Sequence, residues 1–149
     1  MPTISQDIDI ALPVRAVYNQ WTQFEDYPAF MTDVQQVRQL DDSHLYWAIS
    51  VAGVDRGFEA EITEQIPDER IAWKSTSGPN NAGVVTFHRL DDNRTRVRLQ
   101  IEWEPEGFVE SVGAAFKVDN ARVAAALSRF AELVESNGFA TGAWRGKLE

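Results

Sequence analysis

The chain has 149 residues, of which 44% are hydrophobic and 25% are charged, a composition typical of one folded globular domain. Fourteen Lys and Arg residues against 23 Asp and Glu residues give a formal net charge of -9, and a chain this acidic repels the phosphates of a nucleic acid. Cysteine is absent, which excludes disulfides, thiolate nucleophiles and iron–sulfur clusters.

The N-terminal residues, the apolar runs and the histidine spacing bear on where the protein is located and on whether it binds a metal. The first ten residues lack the basic start and the apolar run of a signal peptide, and no run of about 18 apolar residues could span a bilayer. His44 and His88 stand far apart and form no spacing typical of metal ligands. We expect one cytoplasmic domain over residues 1–149, with no membrane span, no metal and no other cofactor.

A strand and two short helices are the first predicted elements. Three isoleucines between residues 4 and 10 share one parity and alternate with polar residues, the period of a half-buried strand. Pro13 then opens a helix in which apolar residues recur at helical spacing as far as Trp21. A second helical segment, 24–31, should be interrupted at Tyr27-Pro28, because a residue before proline is displaced from the helical region.

The long middle of the chain, from Val34 to Trp103, is predicted to form five or six strands. Turn residues separate them at Asp41-Asp42, Ala52-Gly53, Pro67-Asp68, Gly78 to Asn81, and Asp91 to Asn93. Such short connections favour hairpins, since parallel strands need long crossovers. The sequence therefore predicts one continuous antiparallel sheet.

One side of this sheet is predicted to be apolar throughout, because alternate residues of a strand face opposite sides. The opposite side carries residues such as Glu59, Lys74 and Arg96 and is expected to face solvent. The apolar side is formed by Leu45, Trp47, Ile49, Val51, Phe58, Ala60, Ile62, Ile71, Trp73, Val85, Phe87, Val97, Leu99, Ile101 and Trp103.

A long helix is predicted over about residues 109–137, with a stop at Asn137-Gly138. Its apolar residues form one stripe: Val112, Phe116, Val123, Leu127, Phe130 and Val134. The apolar side of the sheet is large enough to bury this stripe, so the helix should lie across it. Residues 138–149 form a short tail, in which Trp144 and Arg145 could dock on the domain itself or on a partner.

Several stretches of the sequence resemble a bacterial cyclase/dehydrase group of the START-like superfamily, also called SRPBCC or Bet v 1-like. They are Trp21–Met31, Glu61–Trp73, Gly78–Phe87 and the ending Thr141–Gly146. The superfamily includes polyketide cyclases and dehydrases, lipid-transfer proteins and the Bet v 1 allergens. The resemblance implies the α+β helix-grip fold, in which a curved antiparallel sheet wraps around the long C-terminal helix and two short helices follow the first strand.

The resemblance also implies a hydrophobic cavity between the sheet and the C-terminal helix. We expect it to bind a hydrophobic small molecule such as a lipid, a quinone or an aromatic polyketide-like compound. The alternative is a polyketide cyclase/dehydrase of the aromatase type, because one fold supports several functions. The predicted lining is Trp47, Ile49, Phe58, Ala60, Ile62, Trp73, Ser75, Val85, Phe87, Leu99, Ile101, Trp103, Phe116, Val123, Leu127 and Phe130.

Cyclase chemistry needs a general acid or base beside the reacting atoms, and polar residues of apolar parity are the candidates. Ser75 continues the phase of Trp73, and Arg89 continues that of Phe87. Each also has a structural interpretation, because serine near a turn often binds the local backbone and arginine at a strand end is usually solvated. The tryptophans of the apolar side likewise either fill the core or stack on a planar ligand.

Overall fold

Seven antiparallel strands form a single curled sheet in the computed structural model, which describes residues 3–31, 34–51, 54–77, 80–104, 120–138, 140 and 142–148. The strands are β1 (Thr3–Ile10), β2 (Val34–Asp41), β3 (His44–Val51), β4 (Val54–Ile66), β5 (Arg70–Ser75), β6 (Asn80–Asp91) and β7 (Arg94–Glu104). Their order across the sheet is β1-β7-β6-β5-β4-β3-β2. The predicted antiparallel layer is confirmed.

Two short helices follow β1, as expected. The first, α1, spans Val14–Trp21, and a 3-10 helix spans Phe24–Ala29. The interruption predicted at Tyr27-Pro28 was wrong, because Pro28 lies inside the 3-10 helix. A proline in such a short element removes only the hydrogen bond of its own nitrogen. The N–H of Phe30, two residues after Pro28, donates to the Tyr27 carbonyl at 3.0 Å.

The long C-terminal helix, α2, is described over Asn120–Asn137. The predicted start near residue 109 and the predicted lining residue Phe116 lie outside the described residues. The helix ends as expected at Gly138, whose φ of 73° is the left-handed conformation that glycine adopts without strain. Its N–H donates to the Val134 carbonyl at 2.9 Å.

The sheet and α2 bury their apolar sides against each other. The stripe of α2 is buried at Val123, Leu127, Phe130 and Val134, and the helix packs along β1, where the Ala11 N–H donates to Glu135 Oε2 at 2.9 Å. Full burial of one such side chain stabilises the fold by about 1.5–3 kcal/mol. The buried residues of the sheet include Ile10, Leu45, Phe58, Ala60, Ile62, Ile71, Val85, Phe87, Val97 and Leu99.

The two ends of the sheet differ in what surrounds them. The β2–β3, β4–β5 and β6–β7 turns and the start of α1 lie at one end, which we call the α1 end. At the other, which we call the far end, β1, β2, β4 and β6 begin and β3, β5 and β7 finish.

A bulge in β4 changes which residues face α2. The register shifts between Ile62 and Glu64, so Thr63 is an extra residue that reverses the alternation. As a result Gln65, which strict alternation places on the polar side, lies on the apolar side and is only 1% exposed. Its Nε2 donates to the Tyr18 hydroxyl at 3.2 Å, which pairs one side of the buried amide.

The C-terminal tail docks on its own domain at the α1 end. Leu148 and Gln65 exchange two backbone hydrogen bonds of 2.8 and 2.9 Å, on a stretch of β4 beyond its pairing with β3. The Arg145 guanidinium donates to Asn19 Oδ1 at 2.7 Å and to Asp68 Oδ2 at 2.8 Å. Of the two docking surfaces considered from the sequence, the domain itself is therefore the one observed.

We expect Arg145→Ala to lower the free energy of unfolding by about 1–3 kcal/mol, because it removes two hydrogen bonds of a charged group that is largely buried. The Asp68 carboxylate would lose the Arg145 guanidinium, while its other oxygen, Oδ1, is already buried with no partner among the described residues. Urea denaturation measures the change. Arg94→Ala is the matched control, since it breaks an exposed pair with Asp91 and should cost less than about 1 kcal/mol. Equal losses would show that the tail contact does not stabilise the domain.

We expect Gly83→Ala to lower the free energy of unfolding by about 1–3 kcal/mol, because a Cβ there would overlap the ring of the packed Trp73. Gly57→Ala is the control: its Cβ would meet the hydroxyl end of Tyr46, which can rotate away on the polar side. Thermal unfolding compares the two variants, and a Gly57 variant as destabilised as the Gly83 variant would contradict this account.

Candidate ligand-binding site

The exposure of the apolar side rises from the α1 end of the sheet to the far end. Near the α1 end, Ile71, Val85 and Val97 are at most 1% exposed. Toward the far end, apolar residues of the same side are only half-buried. We call them the far-end apolar group: Ile4, Trp47, Ile49, Trp73 and Ile101.

The register brings the far-end apolar group together on one side of the sheet. Residues directly opposite each other in an antiparallel pair face the same side. The pairs are Ile4 with Ile101, Trp73 with Gly83, and Trp47 with Phe58. Their remaining accessible surface therefore belongs to the side of the sheet that faces α2.

An aromatic cluster fills the space between sheet and helix at the α1 end. The Trp21 ring lies 4.6 Å from Phe130 of α2 and 6.4 Å from Phe87 of β6, measured between ring centroids. Phe30 lies 5.1 Å from Phe130, and Tyr18 lies 5.2 Å from Phe87. This packing leaves the accessible part of the apolar side at the far end.

Trp73 is held in one orientation. Its ring lies against Gly83, where a side chain would collide with it. Its Nε1 donates to Asn81 Oδ1 at 3.4 Å, and the Asn81 backbone N–H donates to Ser75 Oγ at 3.0 Å. The Ser75 hydroxyl thus accepts a bond from the local backbone, as its structural interpretation predicts.

Trp47 differs from Trp73 in its hydrogen bonding. Its ring stacks on Phe58, with centroids 5.8 Å apart and planes 6° apart. It meets the Tyr27 ring edge to face at 5.5 Å. The Trp47 Nε1 is fully buried, and no hydrogen-bond partner for it lies among the described residues.

Two buried tyrosines, Tyr27 and Tyr18, pack within the aromatic cluster. The Tyr27 hydroxyl donates to the Trp21 carbonyl at 2.8 Å, and burial raises its pKa well above the ordinary value. Burial also raises the pKa of Tyr18. Both phenols are therefore neutral at physiological pH and serve as hydrogen-bonding groups of the core.

The structure divides the predicted lining residues into three sets. Trp47, Ile49, Trp73, Ser75 and Ile101 are half-buried. Phe116 and the side chain of Trp103 lie outside the description. The remaining residues are buried: Phe58, Ala60, Ile62, Val85, Phe87, Leu99, Val123, Leu127 and Phe130.

Arg89, the second catalytic candidate, lies apart from the far-end apolar group. It stands at the α1 end of β6, its side chain is 62% exposed, and it pairs with Asp92.

Metal-binding geometry is not found in the part of the chain that the structure describes, where no three His, Asp or Glu side chains are grouped to hold an ion. His44 lies between two carboxylates, 2.9 Å from Asp41 and 3.5 Å from Glu61. Its hydrogen bond to Asp41 raises the pKa of the imidazole.

None of the described helices is both long and apolar enough to cross a membrane.

A curated relative covers the chain from end to end. It is an uncharacterized 17.2 kDa protein of Streptomyces lincolnensis from the melC2-rnhH intergenic region. The two sequences are 46% identical over an alignment of 149 positions that covers 99% of each chain. Such similarity over the full length means that the relative has the same domain.

Solved structures share the fold. The Zhui aromatase/cyclase from Streptomyces sp. R1128 matches with a TM-score of 0.75 at 17% identity, over 96% of this chain and 99% of that one. A START superfamily protein from Mycobacterium smegmatis matches with a TM-score of 0.66 at 13% identity, over 91% of this chain and 95% of that one. The predicted helix-grip architecture is confirmed.

A family model agrees with the resemblance found in the sequence. The model described as "Polyketide cyclase / dehydrase and lipid transport" matches residues 10–132, which include most of the sheet and much of α2. The chain therefore belongs to the polyketide cyclase/dehydrase and lipid transport family.

Proposed function

We propose that the protein binds a hydrophobic small molecule at the far-end apolar group. The observation that carries the proposal is the contrast within one side of the sheet: Val85 is fully buried, whereas Ile101 and Trp73 of the same side keep accessible surface. Covering apolar surface contributes about 25 cal/mol per Å² to binding. A ligand seated there would complete the burial that α2 and the aromatic cluster leave unfinished.

The lining favours a ligand with flat or extended apolar surface. Trp47 and Trp73 supply large rigid ring systems at low cost in conformational entropy. The family description names both lipid transport and cyclase chemistry, so lipids, quinones and aromatic polyketide-like compounds are the classes that we propose. Apolar pockets with few polar groups are typical of such ligands.

Polyketide cyclase or dehydrase activity is the alternative, and it is supported by the family description and by the fold shared with an aromatase/cyclase. It would need a proton donor or acceptor next to the bound ligand. Ser75 is already an acceptor for a backbone N–H, and Arg89 is paired in solvent. We therefore place binding before catalysis.

We expect Ile101→Glu to weaken binding of the neutral fluorescent probe N-phenyl-1-naphthylamine by about tenfold, because a bound apolar molecule would strip water from the new carboxylate. Probe fluorescence gives the Kd. Leu90→Glu is the matched control: Leu90 is 38% exposed at the α1 end, and its variant should bind within about twofold of the parent chain.

Two results would contradict the proposed function. One is a parent chain that binds neither this probe nor quinones and fatty acids. The other is an Ile101 variant that keeps the parent affinity while its circular dichroism shows an intact fold.

The catalytic assignments of Ser75 and Arg89 belong to the alternative function and have their own test. With a poly-β-ketone thioester that the protein turns over, Ser75→Ala and Arg89→Ala should each lower kcat by about 100-fold if these groups act as acid, base or charge stabiliser. Probe affinity and melting temperature serve as controls for folding. Unchanged turnover in both variants would remove both residues from the mechanism.

A further inference from the structure

We propose that Trp47 determines ligand specificity: its indole N–H selects molecules that carry a hydrogen-bond acceptor, such as a ring carbonyl, over pure hydrocarbons. The inference rests on the proposed function and refines it. It names one donor atom, Nε1 of Trp47, and the chemical group that this atom would recognise.

The unpaired state of the donor is the observation behind this proposal. Trp47 Nε1 is buried and has no partner in the described part of the chain. Buried N–H groups nearly always have a partner, because an unmade hydrogen bond in the interior is unfavourable. A ligand that supplies an acceptor would therefore form the missing hydrogen bond of Trp47 Nε1 and also cover apolar surface.

The described neighbours of Trp47 offer this donor no good acceptor. The described ring contacts of Trp47 are with Phe58 and Tyr27. An aromatic face is a weak acceptor, and the Tyr27 hydroxyl, which donates to the Trp21 carbonyl, forms no hydrogen bond with Trp47 Nε1. Since none of these groups accepts from Trp47 Nε1, we assign the missing acceptor to the ligand.

The exposure of Trp47 shows how that molecule would approach. The residue as a whole is half-buried, although Nε1 is fully buried. The ring thus has an accessible part and a buried donor edge. A flat ligand lying on the accessible part would bring its acceptor to Nε1 after a tilt of the indole, and the new hydrogen bond would favour the tilted position.

Trp73 provides an internal comparison. It belongs to the same far-end apolar group, but its Nε1 donates to Asn81. Its indole therefore offers a ligand apolar surface and no free donor. If hydrogen bonding selects the ligand, Trp47 and Trp73 should differ in their response to ligand polarity, although both are tryptophans of one sheet face.

The test compares menadione with 2-methylnaphthalene, which share a bicyclic skeleton and a methyl group and differ in two carbonyl oxygens. The chain has no cysteine for the quinone to alkylate. By calorimetry, Trp47→Phe should weaken menadione binding by about tenfold and 2-methylnaphthalene binding by less than about twofold, as expected for the loss of one buried hydrogen bond. Trp73→Phe should change the affinity for both compounds by the same factor.

A second measurement follows ligand binding by the unmodified chain, and the Trp47→Phe variant serves only to assign the Trp47 indole resonance. In ¹⁵N NMR spectra, the indole resonance that is missing from Trp47→Phe should move downfield with menadione and not with 2-methylnaphthalene. If Trp47→Phe weakens the binding of both compounds by the same factor, and the Trp47 indole resonance shifts equally with both, the inference is overturned and the proposed function stands. If neither compound nor the fluorescent probe binds the parent chain, both are overturned.

Discussion

The packing of α2 against the apolar side of the sheet is the interaction on which the rest of the structure depends. Strand alternation puts apolar residues on one side of seven strands, and such a surface is stable only when another element covers it. Phe130 of α2 is fully buried, and its ring meets Trp21 of α1 and Phe30, which follows the 3-10 helix. The apolar side is covered more deeply at Val85 than at Ile101.

Much of the fold was predictable because strand burial follows a period of two. Residues such as Val97 and Arg96 alternate between core and solvent, and short turns leave hairpins as the simple connection. The features that were missed are interruptions of this regularity. The bulge at Thr63 places Gln65 on the apolar side of the sheet. The residue types in β4 do not predict where a bulge occurs, so this reversal could not be predicted from the sequence.

The candidate site was predictable to a smaller extent. Alternation assigns a residue to a side of the sheet, but how deeply it is buried depends on what covers that point of the strand. Val85 and Ile101 share a side and differ in exposure, and the aromatic cluster contacts Phe87, the next residue on the same side of β6 as Val85. Likewise Trp47 and Trp73 look equivalent in the sequence. Only the position of Asn81 on a neighbouring strand makes their hydrogen bonding different.

The division between the two ends of the sheet explains how one small domain can hold both a stable core and a binding surface. The aromatic cluster and the docked tail concentrate stabilising contacts at the α1 end. The far end keeps half-buried indoles and, at Trp47, a buried N–H that has no partner among the described residues. Local departures from good packing tend to mark functional sites. Among the described residues, the other buried atoms without a partner, Gln65 Oε1 and Asp68 Oδ1, lie at the α1 end against the docked tail. Only the Trp47 N–H lies beside accessible apolar surface, so among these atoms it is the one that a ligand can reach.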